Sequence, residues 1–219
     1  MIARSLIGLA LAADMQDERE RARTLYLEAA DLARECGDTQ SLTVVAANLG
    51  AMALADGDAE TARTHLERSL ELVRERSNAQ GEAAILSSLA LVALVEGDIE
   101  EARALLGSSL RLASSVGDRE ATFGSLLGLA EVAARSGGTL RAARLLGAAD
   151  ALRDEVGYGP PDPLERELRT RIANVLDEND PALVAARSEG GAMTLDEAVE
   201  LALSLIDSPK TPDEQAPTR

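Results

Sequence analysis

The chain has 219 residues, 46% of them hydrophobic and 27% charged, a balance that suits a soluble globular or solenoid protein and excludes disorder and collagen. Its 40 Ala and 35 Leu stand against one Phe, two Tyr and no Trp, so the interior is built from small aliphatic side chains, which favour helices over sheets. A net charge of −16 repels phosphate backbones, and no direct contact with nucleic acid is expected.

The rare residues narrow the chemistry further. Lys210 is the single lysine and His65 the single histidine. A P-loop, a kinase-type nucleotide site, a pyridoxal Schiff base and a two-histidine zinc site each lack an essential side chain. No loop matches a calcium hand. The reading is therefore of a protein with no catalytic residues, no cofactor and no metal. The lone Cys36 forms no intrachain disulfide, falls on the expected buried face of a helix as a small core residue, and fits a reducing, cytoplasmic setting.

In chain order, Met1-Ile2-Ala3-Arg4 followed by Leu6 to Ala12 imitates a short secretory leader, yet the same residues fall into register with a repeat. No stretch reads as long enough to span a membrane. A shift of 40 residues aligns four gapless copies, 1–40, 41–80, 81–120 and 121–160. Leu9, Leu49, Leu89 and Leu129 coincide, as do Ala13, Ala53, Ala93 and Ala133, then Ala22, Ala62, Ala102 and Ala142, then Leu32, Leu72, Leu112 and Leu152. Ala10, Gly50, Ala90 and Ala130 are all small, and Tyr26, Leu66, Leu106 and Leu146 are all large.

Within each copy, apolar residues at three- and four-residue spacing predict two helices. Gly57-Asp58 and Gly97-Asp98 mark the turn inside a copy, and Gly37-Asp38 and Gly117-Asp118 the turn between copies, with Ser77-Asn78 in their place once. Asp98 and Glu101 predict a capping box. Gly50 and Ala62 allow two helices to approach closely, with Leu66 filling the space left between them. Three helices are expected over 161–207: Asp180-Pro181 reads as an N-cap with a first-turn proline, and Thr194 with Glu197 as a capping box. They would cap the last repeat. Residues 208–219, with Pro209, Pro212 and Pro217, read as a disordered tail.

The Leu49-Gly50, Ala62, Leu66 and Ser69 pattern, repeated as Leu89-Ala90, Ala102, Leu106 and Ser109, resembles the tetratricopeptide repeat (TPR). The family's aromatics are missing and the period is 40 rather than about 34, so longer helices are expected. Gly137-Gly138 and Arg141 to Arg153, with the helices that follow, resemble the C-terminal part of LuxR-type and MalT-like bacterial signalling ATPases and transcriptional regulators. Relatives commonly carry Trp near position 187, where this chain has Arg187. The resemblance implies an all-α, right-handed TPR-like solenoid acting as a sensor or interaction module, with a free-standing scaffold as the alternative. Met1 falls within the first helix with no cap before it, an open end that implies a longer or neighbouring protein or a docked partner.

If the family's concave positions carry over, the binding face comprises Ile7, Leu11, Asn48, Ala51, Leu54, Ser88, Leu91, Leu94, Leu127, Glu131 and Arg135. The implied partner is a protein or peptide, an amphipathic helix or a neighbouring domain, with a small-molecule effector as a further option and no membrane. A peptide-carboxylate clamp finds only Asn48 and Arg135, in different copies. The same residues also read as packing between long helices. His65 reads as a partly exposed structural residue, since no Ser or Cys stands near it at a catalytic spacing. Acidic and basic runs such as Asp17 to Glu20 and Glu71 to Glu75 read as solvated helix faces.

Overall fold

A computed structural model describes residues 2–158, 161 and 163–207; the expected tail, 208–219, lies outside the described residues. The described residues form helices and no strand: α1 (Ile2–Met15), α2 (Arg19–Cys36), α3 (Thr39–Ala55), α4 (Ala59–Glu75), α5 (Ala79–Glu96), α6 (Ile99–Val116), α7 (Arg119–Arg135), α8 (Thr139–Val156), α9 (Pro163–Ala173), α10 (Pro181–Gly191) and α11 (Leu195–Asp207). Each helix from α1 to α8 packs on the next, and α1, α3, α5 and α7 also touch one another in succession. The result is an all-α, solenoid-like stack in which the odd-numbered helices share one layer.

The turns explain why the helices stop where they do. A left-handed residue recurs every 20 positions, at 17, 37, 57, 77, 97, 117, 137 and 157, with φ between 52° and 87°. Six of these are glycine; Asp17 and Ser77 adopt the same conformation with a side chain. At five of these turns the next residue caps the following helix: Asp38, Asp58, Asn78, Asp98 and Asp118 accept from the backbone N–H three residues on, at 3.1, 3.0, 3.0, 2.9 and 3.1 Å, whereas Glu18 and Gly138 make no side-chain cap. The capping box expected at Asp98 forms only by half, because Glu101 turns its carboxylate to Arg63 at 2.8–2.9 Å instead of back to Asp98. The box at Thr194 and Glu197 is complete, with both backbone N–H groups satisfied.

Close approach is set by small residues, as their spacing predicts. Leu66, fully buried, lies 2.7 Å from where a Cβ would stand on Gly50. The same device joins α8 to α10: a Cβ on Gly147 would meet the Arg187 carbonyl oxygen at 2.0 Å.

Between pairs, arginines form a ladder. Arg23 reaches Asp56 at 2.7 Å, Arg63 reaches Glu96, and Arg103 reaches the Ser136 hydroxyl at 3.2 Å, each 33 residues ahead. Every rung ties the second helix of one pair to the C-terminal end of the first helix of the next pair. The fourth equivalent position is Ala143, and there the ladder ends.

Two expectations are corrected here. Cys36 is exposed, because α2 ends on it and Gly37 turns the chain away from the core. And α5, at 18 residues with mean hydropathy 1.4, is long and apolar enough to cross a membrane by composition, although no such stretch was expected. Half of it is buried, against α4, α6, α7 and α3, which accounts for its apolar character on two sides.

Candidate functional site

The predicted binding residues are all on odd-numbered helices, but the structure divides them. Ile7, Leu54, Leu94, Leu127 and Glu131 are buried. Asn48, Ser88 and Leu91 are half-buried, and Leu11, Ala51 and Arg135 are exposed. Five of the eleven are therefore closed to a partner helix, because the long helices pack their flanks against the neighbouring helices, although Leu94 and Glu131 border a cleft beside α9. Asn48 and Ser88 turn inward on their own helices, donating to the carbonyls of Val44 at 2.8 Å and Ala84 at 3.1 Å.

Position 11 and its three equivalents show how the face changes along the stack. Leu11 and Ala51 are exposed, Leu91 is half-buried and Glu131 is 1% exposed. What closes the face at α7 is α9. Its apolar stripe, Leu168 and Ile172, joins the buried cluster that contains Leu94 and Leu127, and Leu164 reaches the cluster of Leu54 and Leu91. These three residues lie at i, i+4 and i+8, the spacing of one helix face. Ion pairs fasten the helix: Arg169 to Asp150 at 2.7 Å, Glu165 to Arg153 at 2.6 Å and Arg171 to Glu131 at 3.2 Å. The segment 161–207 is thus more than an end cover. Only α10 packs chiefly on α8, while α9 folds back on α7, and α11 runs over α6, α7 and α8.

Glu131 is the least expected member of the site. In three copies the position holds Leu or Ala; in the fourth it holds a buried carboxylate. Burial pushes its pKa up, and Arg171 and Arg135 pull it part of the way back. Arg135 Nη1 stands 3.5 Å from Glu131 Oε1 and donates to the Leu94 carbonyl at 2.8 Å. Together with Arg171, Asn174, Leu94 and Val95, these residues line a cleft of about 670 Å³, counting its open mouth. The fixed pair of Glu131 and Arg171 was beyond sequence reasoning, because Arg171 lies 40 residues on, in a helix whose direction of return no spacing reveals.

The other singled-out residues carry no site. His65 is half-buried on α4, and burial and then Arg23 hold its pKa below the usual histidine value, so it is biased to the neutral form. Arg187 pairs with Asp150 at 2.7 Å and so closes α10 on α8 through charge. Of the charged runs, Glu18 pairs locally with Arg21 at 2.6 Å at the start of α2, whereas Arg74 leaves its helix for Glu82 at 2.7 Å. Among the described residues no group of His, Cys, Asp and Glu is placed to hold a metal ion. Compared with known proteins, the chain matches no family model and no curated protein.

Proposed function

We propose that this chain is a right-handed TPR-like solenoid of four hairpins, an interaction or sensor module without catalysis of its own, which receives an amphipathic helix or protein segment on its odd-helix face. One observation carries the reading. The face that α9 covers at α7 is open at α1 and α3, where Leu11 is 43% exposed and Ala51 lies in the equivalent place. The covered half is an internal example of the helix-in-groove mode, with Leu164, Leu168 and Ile172 as its anchors. The resemblance of residues 137–205 to LuxR-type and MalT-like regulators suggests that the partner belongs to a bacterial signalling ATPase or transcriptional regulator. A free-standing scaffold that bridges two proteins is the second reading.

The test is affinity capture with the full chain and with Leu11→Glu and Ala51→Glu, both at exposed positions, after circular dichroism has shown that the variants fold. A partner retained by wild type and lost from both variants supports the reading. Folded variants that keep every partner overturn it. An adjacent or in-frame coding region for a nucleotide-binding module separates the regulatory reading from the scaffold.

A further inference from the structure

Two buried polar atoms at the cleft between α5, α7 and α9 have no partner among the described residues, Glu131 Oε2 and Arg171 Nη2, while Arg171 Nε makes only the 3.2 Å ion pair with Glu131 Oε1. Protein interiors rarely leave such groups unmatched, because each has given up water without a replacement. The unmatched set has both signs. One carboxylate oxygen lacks a donor, and one guanidinium nitrogen lacks an acceptor. The second guanidinium, Arg135, is a third exposed and held by the Leu94 carbonyl at 2.8 Å, so it is fixed yet reachable.

The charges at the cleft select among ligands. Glu131, Arg135 and Arg171, with Glu167 on Arg171 at 3.4 Å, sum to zero in a chain whose net charge is −16, so the cleft is locally balanced between the two signs. A lone ammonium would face two guanidiniums, and a dianion would face the buried Glu131. A molecule that carries one carboxylate beside one ammonium meets neither penalty. Val95 adds an exposed apolar wall beside the buried Leu94, and the cleft opens broadly to solvent, its volume of about 670 Å³ including the space outside its mouth.

We propose that this cleft binds a small zwitterion of the α-amino-acid type, its carboxylate on Arg135 and Arg171, its ammonium on Glu131 and an apolar side chain against Leu94 and Val95. The ligand supplies the missing donor and acceptor at once, which neither a simple anion nor a simple amine does. The site is separate from the open face at Leu11 and Ala51, and each is read by its own variants, so one reading fails without the other.

The experiment is calorimetric titration of the full chain with L-alanine, L-leucine and L-phenylalanine, and with 4-methylpentanoate and 3-methylbutylamine, which keep the leucine side chain but only one charge each. At least one amino acid is expected to bind, and both single-charge analogues at least tenfold more weakly than leucine where leucine is that ligand. Glu131→Gln and Arg135→Ala are each expected to weaken amino-acid binding tenfold or more. Arg135→Ala changes a partly exposed side chain and reads the site independently of the buried carboxylate. The proposal is overturned if none of the three amino acids binds at millimolar concentration, if 4-methylpentanoate binds as well as leucine, or if folded Arg135→Ala binds as wild type does.

Discussion

Gly190 stands so close to Arg144 that a Cβ on the glycine would lie 1.9 Å from the arginine's carbonyl oxygen. With Gly147 against Arg187 in the reciprocal place, the backbones of α8 and α10 touch with no side chain between them.

Gly190→Ala is therefore expected to push α10 off α8 and to lower the stability of the chain by about 3 kcal/mol, the upper end for overpacking. Gly147→Ala should do the same. Gly8→Ala is the matched control, since nothing lies within 4 Å of its Cβ and it sits exposed within α1. There the change should raise stability by about 0.8 kcal/mol through helix propensity alone. Urea unfolding of the three variants checks both signs; equal effects at positions 8 and 190 would show that the two helices are not in backbone contact.

At Ser77 and Asp17 the chain takes the left-handed turn with a side chain that disfavours it, at φ 52° and 62°. Both are exposed and stand where the other six turns have glycine. Ser77→Gly is expected to raise stability by about 1 kcal/mol, the relief of left-handed strain less the added freedom of the unfolded chain. Asp17→Gly should gain less, since Asp tolerates this conformation better than Ser. Thermal melts rank the two, and a loss of stability in Ser77→Gly would contradict the assigned turn.

The buried carboxylate of Glu131 gives stability a pH dependence of known sign. Its folded pKa lies above its unfolded value, so the folded state holds the proton more tightly and is favoured at low pH. That contribution is complete below about 4.3, the ordinary Glu value, and is lost as pH rises through the folded pKa. The stability of wild type relative to Glu131→Gln should accordingly decline from about pH 4 upward. Denaturant midpoints for both proteins between pH 4 and 8 measure it. A relative stability that rises over that range would mean that Arg171 and Arg135 outweigh burial.

Much of the fold was legible because the repeat is written in residues whose effects are local. Gly at a turn, Asp after it and a small residue facing Leu66 act on neighbours within one hairpin, and spacing alone exposes them. The arginine ladder is just as regular in the structure, yet its partners are Asp56, Glu96 and Ser136, three residue types with no shared signature in the sequence. Burial at the candidate face was harder still. Leu54, Leu94 and Leu127 carry the same side chain as Leu11, and only the packing of adjacent helices and of α9 determines which of them meets solvent. Glu131 read as one more residue of the binding face, and its burial and pairing depend on Arg171, which arrives from a helix outside the repeat.

The two regularities, a turn every 20 residues and an arginine rung spanning 33, are indifferent to how many pairs precede them. A 40-residue block inserted or removed between α2 and α5 would meet the same turn and the same rung on either side. Beyond α7 only the turn persists, at 137 and 157, while Ala143 ends the ladder, and Glu131 on α7 with Gly147 and Asp150 on α8 each receive a contact from α9 or α10. The chain thus has a half whose length can vary by whole units and a half whose length is fixed, and variation in reach falls entirely to the open face.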